Sequence, residues 1–159
     1  MPDPKKILID TATKFIGIKE DTDILVINEF RKAVTGRSYD QPWCMSFAQY
    51  CIAQTEKTLG IKSKIFRSDG VLIVWEKSPI SIRLEKPEPG CLMLWNFAGT
   101  RMGHVGIVVD ITPNFIVTVE GNTTGGPGIK RMGDGVYKKN RLPNGSDKMK
   151  VLGFLKPFS

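Results

Sequence analysis

Two β-branched runs meet across a three-residue turn, and their alternation restricts how the second half of the chain can fold. The runs are His104 to Ile111 and Phe115 to Glu120, joined by Thr112-Pro113-Asn114, and both read as strands. Folded back on each other, they pair His104 with Glu120, Val105 with Val119, Ile107 with Val117 and Val109 with Phe115. One face then carries Val105, Ile107, Val109, Phe115, Val117 and Val119. The other carries His104, Gly106, Val108, Ile116, Thr118 and Glu120. A one-residue slip would put the apolar set on mismatched faces. The hydrophobic pattern by itself therefore sets the single histidine of the chain beside a carboxylate. A carboxylate there can accept the imidazole N–H and fix its tautomer. Asn122 continues the parity of Glu120 and suits the same role. A strand-end His–Glu pair is equally compatible with an ordinary surface pair. Gly106 adds weight to a site, because a glycine inside a β-branched strand marks close approach by another backbone. A helix crossing this face would use that space.

The first third of the chain is helical in pattern. Asp3-Pro4 is a cap followed by proline at the first helical position, with Leu8, Ala12 and Phe15 on one face and Gly17 as a stop. Asp23 is placed to cap a second helix carrying Ile24, Ile27, Phe30 and Val34 and ending at Gly36. Pro42 is placed to start a third, with Cys44, Phe47, Ala48, Cys51 and Thr55, closing at Gly60. Asp69 is placed to cap a short fourth. Beyond Pro79 the pattern becomes strand-like. Pro87 to Gly90 is a turn, Cys91 to Trp95 a strand, residues 121–135 a loop rich in glycine, and shorter strands follow near Val136-Tyr137 and Val151 to Leu155. Helices first and antiparallel strands after predict an α+β fold. The expected organisation is one domain over 1–159, helical over about 3–76 and sheet over about 80–157.

The net charge is +7, and the stretch from Lys130 to Lys150 holds seven basic residues against two acids. Such a stretch suits an anionic surface, or simply a solvated face. No apolar run is long enough for a signal core or a membrane span, so synthesis in the cytoplasm and release by another route are expected. Three cysteines without CxxC pairing do not make a disulfide framework.

Among those cysteines, Cys44 has the setting of a nucleophile. A thiolate is favoured at a helix N-terminus and beside an imidazolium, and Pro42-Trp43 puts Cys44 in a first helical turn. Cys51 lies two turns further in among apolar residues, and Cys91 follows Pro89-Gly90 at a strand start; both read as structural. A zinc site from Cys44, Cys51, Cys91 and His104 would match no common ligand spacing.

Taken in order, Pro42-Trp43-Cys44-Met45-Ser46-Phe47 opening a helix, Pro89-Gly90 before a strand, the run from Gly103 to Val109 and Glu120-Gly121-Asn122 on the next strand resemble the CHAP family, the cysteine, histidine-dependent amidohydrolases/peptidases of papain-like fold. The resemblance spans roughly residues 7–155. It departs where the family commonly has Pro-Gly-Asp and this chain has Cys91. Asp21 and Asp23 alternate as in the calcium loop of some relatives, but the glycine-containing continuation is missing, so no metal or other cofactor is expected. The resemblance implies a peptidoglycan hydrolase cutting an amide bond, of the kind found in phage endolysins and wall-remodelling enzymes. Cys44 would be the nucleophile, His104 the base, and Glu120 or Asn122 the residue orienting it. Gln41 would donate to the oxyanion, and Trp43 and Trp95 would line the groove or sit in the core. The expected partner is peptidoglycan, with the basic 130–150 region on an anionic wall or outer-membrane surface, no nucleic acid, and a monomeric state. Two other readings stay open: an interbacterial amidase toxin with an immunity partner, and a non-catalytic basic module binding wall or nucleic acid.

Overall fold

The computed structural model describes residues 2–123 and 134–159. Four α-helices precede a six-stranded antiparallel sheet, an α+β arrangement. The helices are α1 (Pro4–Thr13), α2 (Ile24–Thr35), α3 (Cys44–Leu59) and α4 (Val71–Lys77). The strands are β1 (Arg83–Leu84), β2 (Leu92–Phe97), β3 (Gly103–Ile111), β4 (Ile116–Thr123), β5 (Gly135–Arg141) and β6 (Met149–Leu155), in sheet order β1-β6-β2-β3-β4-β5. β1 was not legible as a strand, and β5 runs well past Tyr137. The Lys130 and Arg131 part of the basic stretch and most of the glycine-rich loop lie outside the described residues.

The helix ends agree with expectation at Asp3, Gly36 and Gly60 and differ at the other starts. Asp3 caps α1, its carboxylate accepting from the Lys5 N–H. Asp23 stands at the cap of α2 as expected but makes no side-chain cap, and Gly70 rather than Asp69 stands at the cap of α4. The Asp23 carboxylate accepts from the Lys19 N–H instead, and that of Asp69 from the Tyr39 hydroxyl. α3 begins two residues after Pro42, with Trp43 at the cap and Cys44 as the first helical residue. Gly36 and Gly60 end α2 and α3 in the left-handed conformation, as glycine permits.

The β3–β4 hairpin keeps the predicted faces and changes the pairing. Ile107 lies opposite Val119 and Val108 opposite Thr118, while nearer the turn Ile111 lies opposite Ile116. The register shifts between Val108 and Asp110, leaving Val109 as a bulged residue. Relative to the expected pairing the strands are displaced by two residues beyond the bulge. An even displacement preserves which side chains share a face, so the His104–Glu120 face survives although the two residues are no longer directly opposed. Continuing the observed register puts Gly106 opposite Glu120.

The second correction concerns the helices. They do not cover the His104 face. Phe47, Cys51, Leu8, Ile27 and Phe30 pack with Leu92, Leu94, Val105, Ile107 and Val119, the opposite side of the sheet. The close approach needing a glycine is at Gly121, where a Cβ would stand 2.7 Å from Phe47 Cβ and 2.8 Å from the Trp43 ring. At Gly106 a Cβ would instead meet Glu120 Cγ at 2.8 Å. That missing side chain leaves room for a carboxylate rather than for a helix.

Candidate active site

The loop before Cys44 is tied down from the helical side. Buried Arg31 of α2 lies 3.6 Å from the Glu20 carboxylate and 3.7 Å from Asp40, and donates to the Gln41 carbonyl. Glu20 also accepts from the Trp43 indole N–H. Trp43 is fully buried, stacked with Phe30. It therefore anchors the start of α3 in the core and does not line a groove. Because α3 starts at Cys44, the free N–H groups of its first turn open at the thiol.

α3 runs along the far side of the sheet, and its N-terminus delivers Cys44 to the end of β3, where His104 is the second strand residue. The thiol lies close enough to the imidazole to help raise its pKa. On the other side of the ring, His104 Nε2 lies 2.7 Å from Glu120 Oε1, which leaves Nδ1 for the thiol. Cys44, His104 and Glu120 are only 6%, 3% and 1% exposed. The Trp95 ring stacks on the imidazole at 5.7 Å. Like Trp43 it is buried, so it walls the histidine from behind.

Glu120 has partners that sequence reasoning missed. Arg141 of β5 grips it at two points, Nε to Oε2 at 2.7 Å and Nη2 to Oε1. The Thr118 hydroxyl donates to Oε2. Arg141 also lies over the Trp95 ring, its guanidinium 5.2 Å from the centroid. β5 and β2 are separated by two strands, roughly 14 Å if the sheet were flat, so a long side chain and sheet curvature together close this side of the site. The sequence counted Arg141 only as part of a basic stretch. A signal was available in its parity, since Arg141 faces Ile116 and Tyr137 faces Glu120 across β4–β5. The separation of those strands in sequence hid the pairing.

Charge and burial compete here. Burial by itself would lower the His104 pKa. The Glu120 charge and the hydrogen bonds to Cys44 and Glu120 outweigh it, and the pKa stands raised at about 9. Burial would raise that of Glu120, but the Arg141 hydrogen bonds and the His104 charge hold its carboxyl well below the usual carboxylate range. The other two thiols lack such neighbours. Burial pushes Cys51 far up and Cys91 to about 12. All three cysteines are free. Among the described residues no three His, Cys, Asp or Glu side chains cluster as metal ligands would, and no helix is long and apolar enough to cross a membrane.

Cys44 opens onto a groove of about 350 Å³. Tyr39, Gln41 and Pro42 form one wall, and residues 69–73 with Arg101, Met102 and Gly103 the other. The Tyr39 hydroxyl donates to Asp69 at 2.8 Å, and Arg101 pairs with Glu76 at 2.7 Å. Gln41 is nearly buried beside Cys44, and neither atom of its amide has a partner among the described residues. Asn122 is fully buried, with both amide atoms unpartnered among the described residues and a left-handed backbone (φ 54°). That conformation is costly for a non-glycine residue in a strand. The geometry therefore brings Cys44, His104 and Glu120 together, sets Gln41 at the groove, and puts Trp43 and Trp95 in the core.

A buried thiol–imidazole–carboxylate chain at a helix N-terminus can support nucleophilic attack on a carbonyl. Neither the curated proteins nor the solved structures include a match to this chain. A family model does match: that of the CHAP domain, over residues 35–122. Its span begins in the loop before Cys44 and runs through Asn122, more than half of the chain, so the protein belongs to the CHAP domain family of peptidoglycan amidases and peptidases.

Proposed function

We propose that this chain hydrolyses an amide bond of peptidoglycan through a thioester on Cys44. The observation that carries the reading is the seat of His104, with one ring nitrogen on Glu120 and the other left for the thiol at the start of α3. His104 takes the Cys44 proton, giving a thiolate–imidazolium pair. The thiolate attacks the scissile carbonyl carbon, and the oxyanion is met by N–H groups of the first turn of α3 and by the free Gln41 amide. The C–N bond breaks as the imidazolium protonates the departing amine. Water, deprotonated by the now neutral His104, then attacks the thioester and releases the carboxylate product and the thiol. Glu120 holds the imidazole in the tautomer these steps need.

The bond cut is either the amide joining the glycan to the stem peptide or one within or between stem peptides. The biological setting we favour is lysis of a bacterial host by a phage, with the enzyme made in the cytoplasm and reaching the wall through a membrane pore. The exposed basic residues Lys138, Lys148 and Lys150 suit an anionic wall surface. The decisive experiment is Cys44→Ala. The variant is expected to fold and to lose wall lysis in a zymogram; lysis by the folded variant would sink the cysteine-hydrolase reading. Mass spectrometry of peptidoglycan digested by the parent enzyme identifies the bond.

A further inference from the structure

We propose that Arg141 is a positioning residue of this site: its two-point grip fixes the carboxylate that orients His104 and leaves the buried cluster electroneutral. The proposal rests on the Cys44–His104–Glu120 reading above. Arg141 lies beyond the span that the family model matches, so it is argued from this chain alone.

The geometric part follows from the donors on Glu120. Oε1 accepts from Arg141 Nη2 and faces His104 Nε2, and Oε2 accepts from Arg141 Nε and the Thr118 hydroxyl. A carboxylate held at two points by a planar guanidinium has one orientation. Gly106 supplies the space in which it lies. The guanidinium is itself held over Trp95, so β2, β4 and β5 jointly aim one oxygen at the ring.

The charge part follows from counting the groups that face one another. Cys44 comes from α3, His104 from β3, Glu120 from β4 and Arg141 from β5, with Trp95 and Thr118 uncharged. Lys139 of β5, half-buried, interacts electrostatically with both Arg141 and Glu120. Arg141 and Glu120 cancel. The thiol–imidazole pair is neutral overall whether or not its proton has moved, so transfer between Cys44 and His104 leaves the net charge of these three buried groups and the half-buried Arg141 unchanged. Without the guanidinium, an unbalanced buried carboxylate would hold the proton on His104. An imidazolium bound that tightly is a poor acid toward the departing amine.

His104 is the only histidine in the chain, so its ring signals in an NMR titration are unambiguous and need no substrate. Arg141→Gln is expected to move the His104 midpoint upward by about one pH unit and to lower kcat about tenfold with KM little changed. Arg141→Lys keeps the charge without the fork; its midpoint is expected to stay close to the parent's while kcat falls. An unmoved or lowered midpoint in folded Arg141→Gln would overturn the proposal. If that variant fails to fold, the parent protein still decides. The Arg141 Nε–H resonance is expected to titrate with the same midpoint as His104, since both groups meet one carboxylate, and a resonance indifferent to that titration overturns the proposal. Both readouts are independent of lysis by Cys44→Ala, so failure here and failure of the hydrolase reading are told apart.

Discussion

The two faces of the sheet are equally buried and are built from alternate residues of the same strands, yet they hold together by different means. Toward the helices stand Leu92, Leu94, Val105, Ile107 and Val119, none more than 1% exposed. Away from them stand Trp95, His104, Thr118 and Glu120, at most 3% exposed. On the first face each residue contributes by filling space, and a neighbour can be altered without changing what the others are. On the second, Glu120 is tolerable inside the protein because Arg141, His104 and Thr118 satisfy it. Burial therefore does not distinguish scaffold from site here; the dependence of each group on its partners does.

The sharpest way to break this contrast is a pair of truncations. His104→Ala is expected to lower turnover by at least about a thousandfold, since one residue serves as base and then as acid. Ile107→Ala, three residues along the same strand, is expected to destabilise the fold by about 2–5 kcal/mol while the folded fraction keeps its pH profile. Denaturant unfolding and kcat/KM measured on both proteins check the separation. If Ile107→Ala altered the pH profile as strongly as a change at Glu120, the faces would not be independent.

Two glycines test the same contrast with a single added carbon. At Gly121 a Cβ would press on Phe47 and Trp43, so Gly121→Ala is expected to cost about 1–3 kcal/mol of stability. At Gly106 it would press on Glu120 Cγ at 2.8 Å and Thr118 Cβ at 3.0 Å. Gly106→Ala is therefore expected to displace the carboxylate and lower kcat, with a smaller loss in melting temperature. Melting and turnover measured side by side would refute the assignment of faces if the two substitutions behaved alike.

The linked titrations give a third and smaller effect. The His104 value is raised from 6.5 to about 9 by Glu120 and Cys44 against the pull of burial. A group whose value rises on folding stabilises the native state fully below its unfolded value and loses that contribution as pH climbs through the folded one. The melting temperature should therefore decline between about pH 6.5 and 9, and activity should fall on the same alkaline limb as the imidazolium is lost. Glu120, depressed on folding, has the opposite sign, and its contribution fades only at acid pH. Glu120→Gln removes the main support of the imidazolium and is expected to flatten the decline in melting temperature. An unchanged slope in that variant would mean that Glu120 does not hold the proton on His104.

The contrast also explains what could be read from the chain. The sharing of one face by His104 and Glu120 was legible because side-chain parity survives a displacement by two residues, whereas Cys44 was marked by its helix start and joined to them only by resemblance. The direct opposition of His104 and Glu120 was not, because the turn closes three residues out of the expected register, with Ile111 opposite Ile116, and the bulge at Val109 takes back one of them. Gly106 indicated a tight place without saying what fills it. Side-chain space for Glu120 and backbone approach by a helix leave the same trace in sequence, and only the position of α3 against Gly121 separates them. Arg141 was obscured for a different reason. Its partner lies across β4–β5, and no short turn between the two strands sets the register.

Asn122 supplies the smallest and most discriminating test. It continues the parity of Glu120, but its left-handed backbone accompanies a register shift between Glu120 and Thr123, and its amide is buried without a partner among the described residues. A residue kept only for packing should tolerate glycine, which adopts a positive φ freely; Asn122→Gly would then match or exceed the parent in melting temperature at unchanged kcat. A residue whose amide works in the site should lose turnover in Asn122→Gly, even as the backbone relaxes. The buried orphaned amide favours the second outcome, because a polar group without a partner costs stability unless something else has kept it there. A several-fold fall in kcat with no fall in melting temperature is therefore expected, and unchanged kcat in that variant would leave Glu120 as the sole residue orienting His104.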